Sequence, residues 1–407
     1  MRFVNEIRIA FRGLRRAPGA AVAVTLTIAI GIASTATIFA VVDALFLRPL
    51  PGVERPSELV NVHAKEPDGS SFHSVSHRTW QALADADGPF TGIAAFGSRL
   101  VSLTARSEPR LAVAQLVTGN YFDVIGARPA LGRFFGPETD SQAPPEVAVL
   151  SDAVWRGRFG ADPSIVGRPV LLNGRAFTVV GVAAPRFSGT FLGTPFDVWV
   201  PVSARRILAP GEEFDPRDQT WLELVARRRP GMTLPGASTA MAVIARRLDR
   251  ERPAGSPPVA FDLHRTTGFE DSLEGPVTAL LSILGALGAL VLAIACANVT
   301  GILLARAFAR EREIAVRVAL GAARSRVVRL LLVENFIQFL AGGALGVAVT
   351  MFTAPLLERF NLPTPVPILF DFAPGLRVAA FGLIAAAGAG LLFGSFPAWL
   401  ATRPGLL

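Results

Sequence analysis

Four stretches of this sequence contain no Asp, Glu, Lys or Arg and are long enough to cross a bilayer: Ala17–Val42, Gly275–Ala305, Asn335–Leu357 and Val378–Thr402. At about 1.5 Å per helical residue, each covers the ~30 Å hydrocarbon core. A spanning segment must satisfy its own backbone hydrogen bonds in lipid, so long uninterrupted apolar runs of this kind form helices. The charges between the runs set the orientation. Residues 1–16 carry five arginines and one glutamate, seven arginines (306, 310, 312, 317, 324, 326, 329) cluster around the boundary of the second and third runs, and Arg403 follows the fourth. Basic segments stay on the cytoplasmic side. The sequence therefore predicts an α-helical membrane protein with four transmembrane helices, both termini cytoplasmic, and a large extracytoplasmic domain between helices 1 and 2.

The predicted organisation is an amphipathic cytoplasmic segment (1–17, with Ile7, Phe11 and Leu14 on one face), a first span (18–42), an extracytoplasmic domain (43–274) and a second span (275–305). A cytoplasmic segment (306–334), a third span (335–357), a proline-rich outer loop (358–377), a fourth span (378–402) and a short tail (403–407) complete it. The first uncharged run is 26 residues long. That exceeds the roughly 7–15-residue apolar core of a secretory signal, so it is read as a retained span.

Composition agrees with the membrane class, with 51% hydrophobic and 18% charged residues and a mean hydropathy of +0.44. The net charge of +8 suits a nucleic-acid binder in principle, but much of it lies beside the spans, where it sets topology, so no nucleic-acid partner is expected. Cys296 is the single cysteine, which excludes an intrachain disulfide and a cysteine-based zinc site. Lys65 is the single lysine and Ala64 precedes it, so the sequence contains no G-x-x-x-x-G-K phosphate loop. If ATP drives this protein, another polypeptide supplies the site and its magnesium, and this chain carries no cofactor. His63, His73 and His77 have a spacing that can hold zinc, yet no H-E-x-x-H frame accompanies them. With no G-x-S-x-G elbow and no paired carboxylates, neither a metal centre nor an enzyme active site is read here.

Within 43–274 the pattern is α+β. Val75–Ala86 and Leu234–Arg250 have helical apolar spacing. Gly92–Phe96, Leu111–Val117, Val147–Leu150, Pro169–Leu172, Phe177–Val182, Asp197–Val200 and Leu222–Ala226 read as strands, and Asn173-Gly174 marks a hairpin. The strand-rich middle, about 90–205, lies between flanks that contain the helices.

The charged segment between spans two and three holds the most unusual pattern. Arg310–Leu320 alternates charge with Ile314, Ala315, Val318 and Ala319, which gives a helix with one apolar stripe, and Gly321 fits its C-cap. Such a helix suits docking into a cleft of a cytoplasmic partner, and equally an interfacial helix that only sets topology. Gly342-x-x-x-Gly346 and Gly390-x-x-x-Gly394 are spacings that let helices approach closely in lipid. Glu334 and Asn298, near span ends, are candidate polar contacts.

EREIAVRVALGAARSRVVRLLLVEN, preceded by NVTGILLARAFAR and followed by GGALG, resembles the core of MacB/FtsX-type ABC transporter permeases. RIAFRGLRRAPG and TLTIAIGIASTATIFAVVDALFLRPLP resemble the N-terminus of the duplicated MacB-like permeases of acidobacteria. GNYFDVIGARPALGRFF, the stretch from VAVLSDAVWRGRFG to APRFSG, and FDVWVPVS are similar to the family's periplasmic core domain. The resemblance covers nearly the whole chain. It implies a mechanotransmission permease of the bacterial inner membrane, in which a cytoplasmic ABC ATPase grips the segment between spans two and three and moves the periplasmic domain.

Carried onto this sequence, the coupling residues are Arg310, Glu311, Glu313, Ile314, Arg317, Ala319, Leu320 and Gly321. The resemblance also implies a discontinuous α+β lobe (about 43–88 and 206–274) with a strand-rich lobe inserted in it, efflux or extraction of a hydrophobic or peptide-like substrate, and a periplasmic adaptor as partner. The alternative is an FtsX-like signalling subunit that regulates an extracytoplasmic partner. Duplicated permeases carry two such units and this sequence carries one, so it is expected to be either truncated or a half-length member that pairs with a second permease unit.

Overall fold

The computed structural model describes residues 18–65, 71–72, 74–105, 108–140, 146–190, 196–208, 219–250, 260–266, 271–309, 324–357 and 372–400. Its helices are α1 (Pro18–Val42), α2 (His77–Ala84), α3 (Tyr121–Ile125), α4 (Asp152–Phe159), α5 (Arg205–Leu208), α6 (Leu234–Arg250), α7 (Asp271–Ala309), α8 (Arg324–Leu357) and α9 (Leu376–Leu400). The strands are β1 (Leu59–Lys65), β2 (Ser71–Phe72), β3 (Phe90–Ala105), β4 (Glu108–Val117), β5 (Pro129–Gly132), β6 (Val147–Leu150), β7 (Pro169–Leu172), β8 (Arg175–Ala183), β9 (Val198–Pro201), β10 (Glu223–Arg228) and β11 (Ala260–Arg265). The chain divides into two units, one built on the four long helices and one on the residues between Pro49 and Asp271.

In the helical unit, four segments are long and apolar enough to cross a membrane: Pro18–Leu47, Gly275–Arg306, Val328–Leu357 and Leu376–Ser395. Val24, Ile28, Ile32, Cys296, Val299, Phe339, Val347 and Ala386 form its buried centre. The helix of the first span does not stop at Val42 but widens into a π-helical turn over Asp43–Leu47.

In the second unit the strands form one sheet in the order β11-β1-β10-β3-β4-β9-β6-β8-β5, with β2 on β1 and β7 between β3 and β8. The organising strand is β3. Its first half, through Phe96, pairs antiparallel with β10, and its second half, from Phe96 to Ala105, pairs with β4. The flanks and the strand-rich middle, expected as separate lobes, are thus joined through a single strand. A five-residue strand was legible over Gly92–Phe96. The strand continues because Val101, Leu103 and Ala105 stay buried while Leu100, Ser102 and Thr104 turn outward, the period-two pattern of a half-buried strand.

Three cores cover this sheet. One gathers Leu103, Phe177, Val179 and Val198, a second gathers Tyr121, Phe122, Phe187 and Trp199, and a third lays Trp80 and Leu83 of α2 and Ala237 and Met241 of α6 against β1 and β10. Helix α6 spans the residues its apolar spacing predicts. Helix α2 starts at His77 because the Ser76 hydroxyl accepts a bond from Thr79 N at 3.2 Å. Asn173 and Gly174 both have positive φ, 49° and 78°, as a type I′ hairpin between β7 and β8 requires. The Asn173 side chain also accepts from Ser102 N at 2.7 Å and donates to Leu208 O at 2.9 Å, tying the turn to two other segments.

Candidate functional site

The predicted coupling residues Arg310, Glu311, Glu313, Ile314, Arg317, Ala319, Leu320 and Gly321 lie outside the described residues. What the structure places are their neighbours: α7 ends at Ala309 and α8 begins at Arg324, so two candidate spans bracket the segment directly.

The four glycines predicted to pack helices all sit at contacts inside this chain's own bundle. A Cβ at Gly342 would lie 2.7 Å from Ile28 Cβ and 3.0 Å from Thr25 O, and one at Gly346 would lie 2.8 Å from Ala29 O and 3.1 Å from Ala33 N. The backbone of α8 therefore lies against the backbone of α1. On α9, a Cβ at Gly390 would come 2.9 Å from Phe339 Cβ, and one at Gly394 would come 3.3 Å from Asn335 Cβ.

Close backbones bring carbonyls within reach of polar side chains. Thr350 Oγ1 donates to Ala33 O at 3.3 Å, Asn335 Nδ2 to Gly394 O at 3.0 Å and Thr35 Oγ1 to Gly288 O at 3.4 Å. Glu334 is buried, and Asn298 is exposed on α7. Gln338, which sequence reading did not single out, is 2% exposed, and its amide has no hydrogen-bond partner among the described residues.

Two charged constellations mark the chain where it leaves α1. In the helical unit, Asp43 is buried, with Oδ2 at 3.0 Å from Arg48 Nε and Oδ1 at 3.7 Å from Arg377 Nη1. Arg377 also donates to Leu47 O at 2.7 Å, and Arg48 donates to Ala373 O. The π turn of α1 and the start of α9 are therefore joined around one carboxylate.

In the second unit, the segment that follows is held by Arg227 of β10. Its Nε donates to Val124 O at 2.7 Å, Nη2 to Glu54 O at 2.6 Å, and Nη1 to Arg55 O at 3.3 Å and to Glu58 Oε2 at 3.1 Å. Gly126, at φ 67°, closes the same corner: a Cβ there would lie 2.7 Å from Glu54 Cβ. Nothing in the run ELVARRR distinguishes Arg227 from its two arginine neighbours, so only the fold identifies it.

Two further carboxylates hold backbone. Asp140 accepts from Gly119 N at 2.9 and 3.0 Å, and Asp197 from Val113 N at 2.8 Å. Burial pushes the Asp140 carboxyl up to about 6 against the pull of the Gly119 N–H, and burial likewise raises Asp197. His63 and His264 stack at 5.2 Å, and no group of three or more His, Cys, Asp or Glu suited to a metal occurs among the described residues.

Four apolar helices, with a large α+β domain inserted between the first and second, define a multi-pass membrane permease. Residues 21–243 match the MacB-like periplasmic core domain and residues 285–403 match the FtsX-like permease C-terminal family. The chain belongs to the MacB/FtsX-type ABC transporter permeases.

Among its relatives, the macrolide export ATP-binding/permease protein MacB of Azoarcus sp. (strain BH72) is 26% identical over 407 residues, covering 98% of this chain and 58% of that protein. MacB of Burkholderia thailandensis is 27% identical over 307 residues, covering 75% of this chain and 44% of that protein. The chain thus spans about half the length of the curated relatives it matches. Among solved structures, the periplasmic region of MacB from Actinobacillus actinomycetemcomitans aligns with a TM-score of 0.41 at 15% identity, over 57% of this chain and 97% of that one. The extracellular domain of the transporter YknZ aligns with a TM-score of 0.38 at 14% identity, over 50% of this chain and 99% of that one.

Proposed function

We propose that this chain is the permease unit of a mechanotransmission ABC transporter. A separate cytoplasmic ABC ATPase, which carries the ATP and magnesium, engages residues 310–321 and moves the periplasmic domain to expel or extract a hydrophobic or peptide-like compound. A second permease unit and a periplasmic adaptor complete the assembly, and both termini of this chain lie in the cytoplasm. The observation that carries the reading is the pair of spanning helices that bracket the charged segment, α7 ending at Ala309 and α8 starting at Arg324, in a sequence with no phosphate loop of its own.

Motion enters at 310–321 and travels along α8, whose backbone is seated on α1 at Gly342 and Gly346. From the Asp43 turn the chain runs directly into the segment held by Arg227. The test is capture of the cognate ATPase by the full chain. Glu313→Arg and Gly321→Pro are expected to lose it, the proline because it removes a donor and restricts the preceding residue. Unchanged capture with intact folding refutes the coupling assignment.

A further inference from the structure

The sheet of the second unit leaves one apolar face uncovered where β3, β4 and β7 run side by side. In the register, Leu100 of β3 pairs with Val113 of β4, Ser102 pairs with Leu111, and Thr104 pairs with Leu171 of β7. Leu171 pairs in turn with Ala176 of β8. These positions have one parity along their strands, so their side chains stand on one face. The other parity, Val101, Leu103 and Leu172, fills the core beneath. Leu100 is 45% exposed, Leu111 61% and Leu171 40%.

The clustering is what marks this face. Among the described residues of the second unit, four large apolar side chains are exposed, and three of them are these leucines; the fourth, Val243, lies on α6. Scattered exposed leucines need no explanation, whereas a contiguous group marks an interaction surface. The three flank the small side chains of Ser102 and Thr104, so the face carries both projections and the shallow places that receive them. None of these side chains is charged, and Arg99 and Arg110, of the other parity, stand on the opposite face.

Size and charge together select the occupant. Three partly exposed leucines fall well short of the roughly 1,000 Å² that a freely diffusing partner needs for a stable complex. A partner anchored in the same bilayer is already concentrated and oriented, so a small contact suffices. Two copies of a chain with a net charge of +8 repel each other, and an uncharged face is where they meet without opposing like charges. A two-fold axis places the same face on both sides, leucines against the Ser102 and Thr104 positions, in the manner of packed sheets. We propose that the face formed by Leu100, Ser102, Leu111 and Leu171 is the contact between the outer units of two copies of this chain. The assignment rests on the pairing of permease units in the reading above and names the surface that makes it.

Cross-linking in membranes tests this, in full chains whose buried Cys296 is replaced by alanine and which are co-expressed with the cognate ATPase. Ser102→Cys, near the middle of the face, is joined to its counterpart by a bis-maleimide reagent reaching about 10 Å, the spacing of packed sheets. Val243→Cys, exposed on α6, is not. Leu111→Arg added to the Ser102→Cys chain lowers the cross-linked fraction about tenfold, because two like charges now enter an uncharged contact. It leaves the melting temperature unchanged, since the side chain it replaces is mostly exposed. No Ser102→Cys dimer, an equal yield from Val243→Cys, or a yield unmoved by Leu111→Arg overturns the assignment, as does cross-linking of Ser102→Cys to a different protein instead. Capture of the ATPase, read on the same membranes, separates the two readings: retained capture without the Ser102→Cys dimer overturns this face and leaves the permease reading standing.

Discussion

The Arg227 guanidinium lies 3.1 Å from the Glu58 carboxylate while donating to the carbonyls of Glu54, Arg55 and Val124. One largely buried cation on β10 therefore gathers the segment that follows α1 together with the end of α3. Arg227→Met removes every one of these bonds; the Arg55 carbonyl keeps its bond from Glu58 N, while the Glu54 and Val124 carbonyls lose the guanidinium. The expected cost is about 3 kcal/mol, read as a shifted midpoint in urea unfolding of the outer unit. Arg227→Lys recovers little, because an ammonium cannot reproduce the planar fork. A lysine variant of native stability would show that the charge alone suffices.

Asp43 plays the corresponding role in the helical unit. Asp43→Asn leaves Arg48 and Arg377 facing a neutral amide and is expected to cost about 1–3 kcal/mol, measured as thermal stability in detergent. Arg377→Ala is expected to cost less, because the Arg377 side chain is 61% exposed while that of Asp43 is 3% exposed. Equal losses would place the anchor elsewhere.

Gly346→Leu and Gly285→Leu form a matched pair of substitutions in spanning helices. At Gly346 a side chain runs into the backbone of α1 at Ala29 and Ala33, whereas at Gly285 a Cβ meets nothing within 4 Å. The first should destabilise the bundle by about 1–3 kcal/mol or more, and the second should be nearly neutral. Protease resistance in lipid separates them, and similar behaviour of the two variants would contradict the α1–α8 packing.

The Asp140 carboxyl, raised to about 6 chiefly by burial, makes stability depend on pH in a definite direction. An unfolded aspartate titrates near ~3.9, so between that value and about 6 the folded chain holds the extra proton. Unfolding then releases protons, and this group's contribution to stability falls as pH rises through that window and levels off above it. Asp140→Asn keeps an acceptor for Gly119 N but cannot ionise. Relative to the parent it should therefore gain stability between pH 4.5 and 7 in melting experiments. Parallel pH profiles would remove Asp140 as the source.

Asn173→Val tests the hairpin. A β-branched residue at φ 49° is strained, and the bonds to Ser102 N and Leu208 O are lost with the amide. The expected destabilisation is about 2–4 kcal/mol, visible in denaturant titration.

Much of the architecture was legible because its signals are local. The spans show as uncharged runs, α6 as an apolar stripe, and the β7–β8 hairpin as Asn-Gly between strands. The strands that went unread, β1, β2, β5 and β11, include both ends of the sheet order, where one flank lacks a neighbour and the hydrophobic pattern is weak. Helices α3 and α5, five and four residues long, are too short to show a period, and α4 buries only Val154, so no apolar stripe marks it.

The sites divide in the same way. Sequence determined that this chain has four runs apolar enough to cross a membrane, holds a large α+β domain between the first two, and carries a charged motif between the second and third. These are properties of composition and spacing along a few dozen residues. Only the tertiary structure decided which of three adjacent arginines is buried and that Gly342 and Gly346 seat α8 on α1. Those are relations between residues far apart in the chain. The free energy of burying a charge or closing two backbones depends on neighbours that only folding brings together.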